Sequence, residues 1–343
     1  MRKITLTLAL LFSVGFAGNV LAQEIELPDA GLTPDSPFYF LERISEGIGT
    51  FFTFGDLNKA TRYAALAAKR VAEAEAVVEK GKPEYAQKAL ARYEAQLNKA
   101  LAKVESAKNK GEAVEEVTES VAEATTKHLA VLDEVLGKVP EEAKEGIEKA
   151  RTASMAGQKN ALKFLAEENP ETATEINLRA AEARLNRAKV KAEEGETEDV
   201  EEAVAEFENQ HRFGEEISAI AQGLGKDTTT VEQLVGRATS IHLEILAEVY
   251  ERVPEQAKSS IEKAMEVSVK GYEKAVEALR EKGDMDEVPE EVSLPGQVPT
   301  EVKERVKEKV RQEIIEEKEL EEAEISEVEK PEVETPGAGR PGR

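Results

Sequence analysis

Residues 124–141 read ATTKHLAVLDEVLGKVPE, and residues 238–255 read ATSIHLEILAEVYERVPE. The two stretches lie 114 residues apart and share their His, their apolar pattern and the closing Val-Pro-Glu. The same offset also relates Arg70 to Arg184, Gly81 to Gly195, Ser154 to Ser268 and Gly157 to Gly271. One constant offset through so much of the chain indicates that a whole folding unit was duplicated.

Apolar residues within each copy recur every three or four positions, which is the period of an α-helix. The pattern breaks at Gly81-Lys82-Pro83, near Gly111, at Pro140 and at Asn169-Pro170, where Gly and Pro end helices. Long helices joined by short turns pack as antiparallel neighbours. We therefore predict an all-α protein of two tandem antiparallel four-helix bundle repeats. An α-solenoid of stacked helix pairs has the same sequence pattern and stays open as the alternative.

The division of the chain follows from these breaks and from its two ends. We predict a signal peptide at 1–22, a leader with an aromatic helix at 23–56, repeats at 57–169 and 170–283, and an acidic tail at 284–343. The tail is rich in Pro and Glu, which is typical of a partly disordered segment. A stripe of Val302, Val306, Val310 and Ile314 predicts one helix within it, over 300–325.

The N-terminus has the three parts of a secretory signal peptide. Arg2-Lys3 precedes an apolar run over 4–17, and Val20-Leu21-Ala22 forms a small-residue cleavage site before Gln23. The run is shorter than the roughly 20 residues that span a bilayer. We therefore expect a secreted or envelope protein with no transmembrane segment after cleavage. The chain has no Cys, which excludes disulfides and a lipid anchor on Cys.

The net charge is −24, and losing Arg2 and Lys3 with the signal peptide would take it to −26. Such a surface disfavours binding to nucleic acid and to anionic lipid. The expected partners are another protein, cationic molecules or divalent cations, and a solvated acidic surface without any ligand is the alternative.

Six of the aromatic residues cluster between the signal peptide and the first repeat. They are Phe38, Tyr39, Phe40, Phe51, Phe52 and Phe54. The cluster is either a contact surface for a partner or a lipid, or a lid that closes the core of the first bundle. We expect the lid, because an exposed apolar patch of that size favours aggregation.

The segment 34–44, PDSPFYFLERI, is followed by RVAEAE at 70–75 and by Gly81. This combination resembles a family of exported archaeal and bacterial domains of unknown function. Glu42 stands where that family has Lys, a change of little consequence if the position is exposed. The resemblance implies a helical envelope or extracellular module and implies no activity.

Two of the three His residues occupy equivalent positions on the apolar stripe of their helices, His128 in repeat 1 and His242 in repeat 2. A His that points inward needs a hydrogen-bond partner. The acidic residues matched in both copies are Glu94 with Glu208 and Glu134 with Glu248. The functional interpretation is one metal or proton site per repeat, and the predicted metal ligands are His128 with Glu94 and His242 with Glu208. The structural interpretation, which we favour, is a core His whose hydrogen bonds are satisfied.

Neither His belongs to the Glu-x-x-His pair of a di-iron bundle, because Thr125 and Thr239 lie three residues before them. His211 replaces Leu97 of the first copy and belongs to neither interpretation. The sequence also lacks the motifs of serine hydrolases, zinc proteases, nucleotide-binding loops and Ca²⁺ loops. We therefore predict a non-enzymatic helical scaffold or binding module without a cofactor. The alternative is a metal-binding or metal-buffering protein that uses one His per repeat.

Overall fold

The fold is known from a computed structural model, which describes residues 27–285, 288–289 and 291–328, with side chains up to 320. The predicted signal peptide and the last part of the tail lie outside these residues. The described residues contain no strand. Their α-helices are α1 (Tyr39–Phe51), α2 (Asp56–Glu79), α3 (Ala86–Asn109), α4 (Glu115–Lys138), α5 (Glu141–Glu168), α6 (Pro170–Glu194), α7 (Thr197–Gly223), α8 (Thr229–Arg252), α9 (Glu255–Lys282) and α10 (Thr300–Val328). The all-α prediction is confirmed.

Helices α2 to α9 form four antiparallel hairpins, each made of two consecutive helices. The turn after the first helix of each repeat contains a Gly at positive φ, Gly81 at 71° and Gly195 at 77°. Only Gly adopts this left-handed backbone without steric cost, so the chain reverses there. The duplicated glycines thus set the same turn in both copies.

The four helices of each repeat close a ring around an apolar core. In repeat 1, α2 and α5 each contact both α3 and α4, and in repeat 2 α6 and α9 each contact both α7 and α8. This is the predicted four-helix arrangement. Contacts of α4 and α5 with α6 and α7 continue the row of hairpins, and the core of repeat 1 extends to Phe213 and Ile217 on α7. The core of repeat 1 therefore includes residues of α6 and α7, while most of repeat 2 packs around a separate core with α10.

A buried network of ion pairs lies where the two repeats meet. Arg151 on α5 donates to Asp133 on α4 at 2.6 Å and to Glu206 on α7 at 2.7 Å. Arg184 on α6 donates to the same Asp133 at 3.0 Å. Arg151 and Arg184 are both buried. Because each carboxylate is shared between helices of different repeats, the network specifies how the repeats join.

Helix α10 packs along α9 and covers the side of the second core. Val302, Val306 and Val310 are buried against that core, with Ile314 beside them. Lys270 on α9 pairs with Glu313 at 2.9 Å and with Glu317 at 2.6 Å. The helix predicted over 300–325 corresponds to α10, because its valine stripe packs on an apolar surface. Residues 329–343 lie outside the described part of the chain.

Candidate functional site: the apolar face of helix α1

Helix α1 and the residues beside it turn their large apolar side chains towards solvent. Eight of these side chains are between 50% and 75% exposed, namely Phe38, Phe40, Leu41, Ile44, Ile48, Phe51, Phe52 and Phe54. Of the six clustered aromatic residues, Tyr39 alone is buried. The prediction that the cluster closes the first core as a lid is therefore wrong. We call these eight side chains the apolar face of α1.

The opposite, polar side of α1 is tied to α2 by buried hydrogen bonds and ion pairs. Tyr39 donates its hydroxyl hydrogen to Glu73 at 2.7 Å and accepts a hydrogen bond from Arg70 at 2.7 Å. The fully buried Arg70 also pairs with Glu46 of α1 and with Glu73. Burial, together with the hydrogen bond to Glu73, raises the pKa of Tyr39 to about 12. Turning α1 over would leave buried charges without partners, so its apolar face stays outside.

A second set of contacts fixes the start of α1. Glu42 accepts a hydrogen bond from the backbone N–H of Leu32 at 2.7 Å and pairs with Lys69 of α2. The carboxylate of Glu42 is only 17% exposed. A Lys at this position would face Lys69 and lose both contacts.

A groove runs beside the apolar face of α1, between α1 and α3. It places Phe40 and Ile44 next to three cationic side chains, Arg43, Lys88 and Arg92. The guanidinium of Arg92 lies 4.9 Å from the centre of the Tyr39 ring. Its Nη1 atom is buried and has no hydrogen-bond partner among the described residues. Guanidinium groups in such a position bind carboxylate or phosphate oxygens.

The charge of the chain is distributed unevenly. Residues 27–110 contain 13 Lys and Arg against 11 Asp and Glu, whereas residues 111–343 contain 31 against 57. Residues 27–110, which include α1 to α3, therefore have a net charge of +2, and residues 111–343 have −26. The negative charge from which repulsion of anionic lipid is expected thus lies after residue 110.

The two equivalent His residues lie in the cores of their repeats and contact aromatic rings. His128 is 2% exposed and meets the ring of Tyr93 edge-on at 5.3 Å, and His242, equally buried, meets Phe207 at 5.2 Å. Burial lowers the pKa of both imidazoles to about 3. Both are therefore neutral at pH 7. Buried, neutral imidazoles against aromatic rings fit core residues. The prediction that their hydrogen bonds are satisfied is wrong for His128, whose buried Nδ1 has no hydrogen-bond partner among the described residues.

The acidic residues predicted to face these His side chains bond elsewhere. Glu94 is exposed, Glu134 pairs with Lys138, Glu208 pairs with Lys263 at 2.7 Å, and Glu248 pairs with Lys189 at 2.6 Å. The predicted metal set of His128, His242, Glu94 and Glu208 is thus not brought together, because each carboxylate finds a Lys or the solvent. Across the described residues, no three His, Cys, Asp or Glu side chains are arranged to hold a metal ion.

Sequence analysis missed Lys88 and Arg92 as members of the candidate site. They lie on α3, about fifty residues after Phe38, and no motif links the two segments. The charge balance of residues 27–110 is the one sequence feature that points to a cationic groove. The net charge of the whole chain conceals it.

Residues 31–142, about a third of the chain, match the family described as Domain of unknown function (DUF5667). The match includes α1 to α4, so the aromatic segment and most of repeat 1 form one family unit. It supports the resemblance to an uncharacterised helical domain. No curated protein and no solved structure matches the chain.

Proposed function

We propose that this chain is an exported, non-enzymatic helical binding module that lies on an anionic lipid surface through the apolar face of α1. One observation carries the proposal. Eight large apolar side chains are exposed on and around a helix whose polar side is occupied by buried ion pairs. Soluble proteins rarely leave such a patch uncovered, and larger patches mark contact surfaces for proteins or membranes.

The composition of the face favours a lipid as the partner. Amphipathic helices that lie in the plane of a membrane bury Phe, Leu and Ile to the depth of the headgroups. Five of the eight exposed side chains are Phe. In α1 the polar side, which would usually face water, instead bonds to α2. The whole of repeat 1 would therefore be held at the surface with α1.

The groove beside the face adds a position for an anionic headgroup. Arg43, Lys88 and Arg92 line it next to Phe40, and the buried Nη1 of Arg92 has no hydrogen-bond partner among the described residues. A phosphate there would accept hydrogen bonds while the acyl chains contact the phenylalanines. The net charge of +2 over residues 27–110 permits this approach, whereas the acidic residues after 110 would be repelled.

The distribution of acidic residues suits this orientation. The acidic helices after residue 110 would face away, where they could attract basic proteins or divalent cations.

Vesicle co-sedimentation of residues 23–343 tests the proposal. Vesicles of pure phosphatidylcholine would be compared with vesicles containing 30% phosphatidylglycerol, at low and high salt. We expect binding to the anionic vesicles that weakens with salt. Replacing Phe40, Phe51, Phe52 and Phe54 with Ser should weaken it at least a hundredfold, since each Phe leaving water contributes roughly 1.5 kcal/mol or more.

The matched control replaces Val190 and Leu224 with Ser, because both are exposed apolar side chains of repeat 2. This variant should bind as the wild type does. Failure to bind either kind of vesicle, or equal binding by the Phe variant, would exclude the lipid proposal. A dimer in light scattering that disappears in the Phe variant would instead assign the face to a second copy of the chain.

A further inference from the structure

A cleft opens among α6, α7, α8 and α9 in repeat 2, far from the residues of α1 in sequence. Its volume is about 260 Å³. Thr174, Asn177, Glu232 and His242 line it with buried side chains, and Glu215, Gln222 and Lys274 lie towards its exposed side. This mixture of apolar walls and a few inward polar groups is typical of small-molecule sites.

At the equivalent position of repeat 1, larger apolar side chains are present. Ala60, Val104 and Val117 form an apolar cluster there, with Phe164 packed against it. The equivalent residues of repeat 2 lie 114 positions later in the chain. At four positions a large apolar residue of repeat 1 corresponds to a small or polar residue of repeat 2. Asn177 stands where repeat 1 has Tyr63, His211 where it has Leu97, Ser218 where it has Val104, and Ala278 where it has Phe164.

Both copies nevertheless retain a glycine on the last helix of the repeat, against which a side chain from another helix packs. A Cβ on Gly157 would lie 2.6 Å from Leu97 Cδ2, and a Cβ on Gly271 would collide with the imidazole of His211. His211 therefore packs against the backbone of Gly271 as Leu97 packs against that of Gly157. An imidazole thus replaces a core leucine at the wall of the cleft.

Two polar groups at the cleft lack hydrogen-bond partners among the described residues. They are the hydroxyl of Thr174, whose residue is 2% exposed, and Nδ1 of His211. Neighbouring polar groups are satisfied: Ser218 donates to Glu232 at 2.8 Å, and Gln210 donates to Asn177 at 2.6 Å. Buried polar groups without partners are uncommon in folded proteins, so a bound ligand that reaches Thr174 and His211 would supply the missing hydrogen bonds.

The charges around the cleft disfavour an anion. Burial lowers the pKa of His242 to about 3 and lowers that of His211, so both rings are neutral at pH 7. Glu215 and Glu232 contribute the acidic groups, and the Lys274 ammonium is already paired with Glu215 at 3.2 Å and with Glu317 at 3.0 Å. The free groups are therefore a neutral hydroxyl and a neutral imidazole.

We infer that the cleft binds a small uncharged amphiphile, whose hydroxyl or amide group bonds to Thr174 and His211 and whose apolar part lies against Leu178, Val235 and Ala278. A cavity of 150 Å³ holds benzene, so this one accommodates about ten non-hydrogen atoms. The inference is independent of the lipid proposal, because it concerns other helices and another kind of ligand.

The three His residues of the chain make the test direct. Proton NMR of residues 23–343 resolves one Hε1 signal from each of His128, His211 and His242, and single variants assign them. Phenol is the probe, with toluene and benzoate at equal concentration as comparisons. We expect phenol to shift the signals of His211 and His242 in a saturable manner and to leave His128 unchanged. Toluene and benzoate should bind at least about tenfold more weakly.

Two variants complete the test. Ala278→Phe restores the bulky side chain of repeat 1 and should abolish saturable binding. Thr174→Val keeps the shape of the side chain but removes its hydroxyl, and should weaken phenol binding three- to tenfold. Circular dichroism of each variant checks that the helices are intact. Unshifted His211 and His242 signals, equal shifts at His128, or unchanged binding by Ala278→Phe would each overturn the inference.

Discussion

Repeat 1 and repeat 2 have the same four-helix ring, the same core His and the same paired glycines, yet their interiors differ at one end. Repeat 1 fills that end with Val104 and Phe164, and repeat 2 leaves a cleft beside Ser218 and Ala278. The difference shows that the ring does not depend on a full core at every layer.

The largest expected difference between the copies concerns Arg70 and its equivalent, Arg184. Arg70 pairs with the buried Glu46 and Glu73. In Arg70→Ala these carboxylates lose their buried cation, which should lower the free energy of unfolding by about 4 kcal/mol. Urea denaturation at pH 7, followed by circular dichroism, measures the loss.

The matched substitution Arg184→Ala should cost only about 1–2 kcal/mol in the same urea experiment, because Arg151 stays paired with both Asp133 and Glu206. Equal losses in the two variants would show that the shared network at the junction does not compensate for a missing cation.

The exchange of Leu97 and His211 probes the difference in core polarity. Leu97 is 2% exposed, so Leu97→His should destabilise the chain by about 3 kcal/mol by burying an imidazole in a filled core. The reverse change, His211→Leu, should be neutral or slightly stabilising in the same urea titration. A large loss in His211→Leu would mean that the imidazole has an essential structural partner.

The pH dependence of stability should be similar in the two repeats. Burial holds the pKa of His128 at about 3, below the ordinary value of 6.5. Protonation therefore favours the unfolded chain. The contribution of the neutral His128 to the free energy of unfolding is complete above pH 6.5 and is lost as the pH falls towards 3. Between pH 7 and 5 the loss is about 2 kcal/mol for this residue.

In His128→Leu, the decrease in the free energy of unfolding between pH 7 and pH 5 should be about 2 kcal/mol smaller than in the wild type. His242→Leu should behave alike, because its pKa is lowered equally. The control Glu134→Gln, on an exposed carboxylate of the same helix, should keep the wild-type fall. An unchanged fall in both His variants would contradict the buried, neutral state.

The smallest expected effect comes from filling the cleft. Ala278→Phe should raise the free energy of unfolding by about 1 kcal/mol, because the ring covers apolar walls as Phe164 does in repeat 1. A rise in the urea midpoint without a change in slope would support this. A lower midpoint would indicate that the cleft is too narrow for the ring.

Much of the fold could be predicted because it depends on local patterns and on the repeat. The helical period, the turns at Gly81 and Gly195 and the stripe from Val302 to Val310 are all short-range features. The face of α1 was predicted wrongly, because aromatic residues are usually buried. Here the buried ion pairs of Arg70 with Glu46 and Glu73 outweigh that tendency.

The candidate sites depend on residues that are distant in sequence, so their composition was not predicted. Arg92 reaches the groove from α3, and His211 became recognisable as part of a cleft only beside Ala278 from α9. A residue-by-residue comparison of the copies marks His211 and Ala278 as changed. It does not show that the two changes meet at one place.

By itself, the sequence determined the helices, the duplication and the uneven charge, because periodicity, glycine turns and composition are properties of the chain that act locally. The tertiary structure alone decided that α1 presents its phenylalanines to solvent and that one repeat contains a cleft. Both depend on which side chains from separate helices come together. A buried Arg needs carboxylates from other helices, and a cavity forms only where the side chains of several helices are all small.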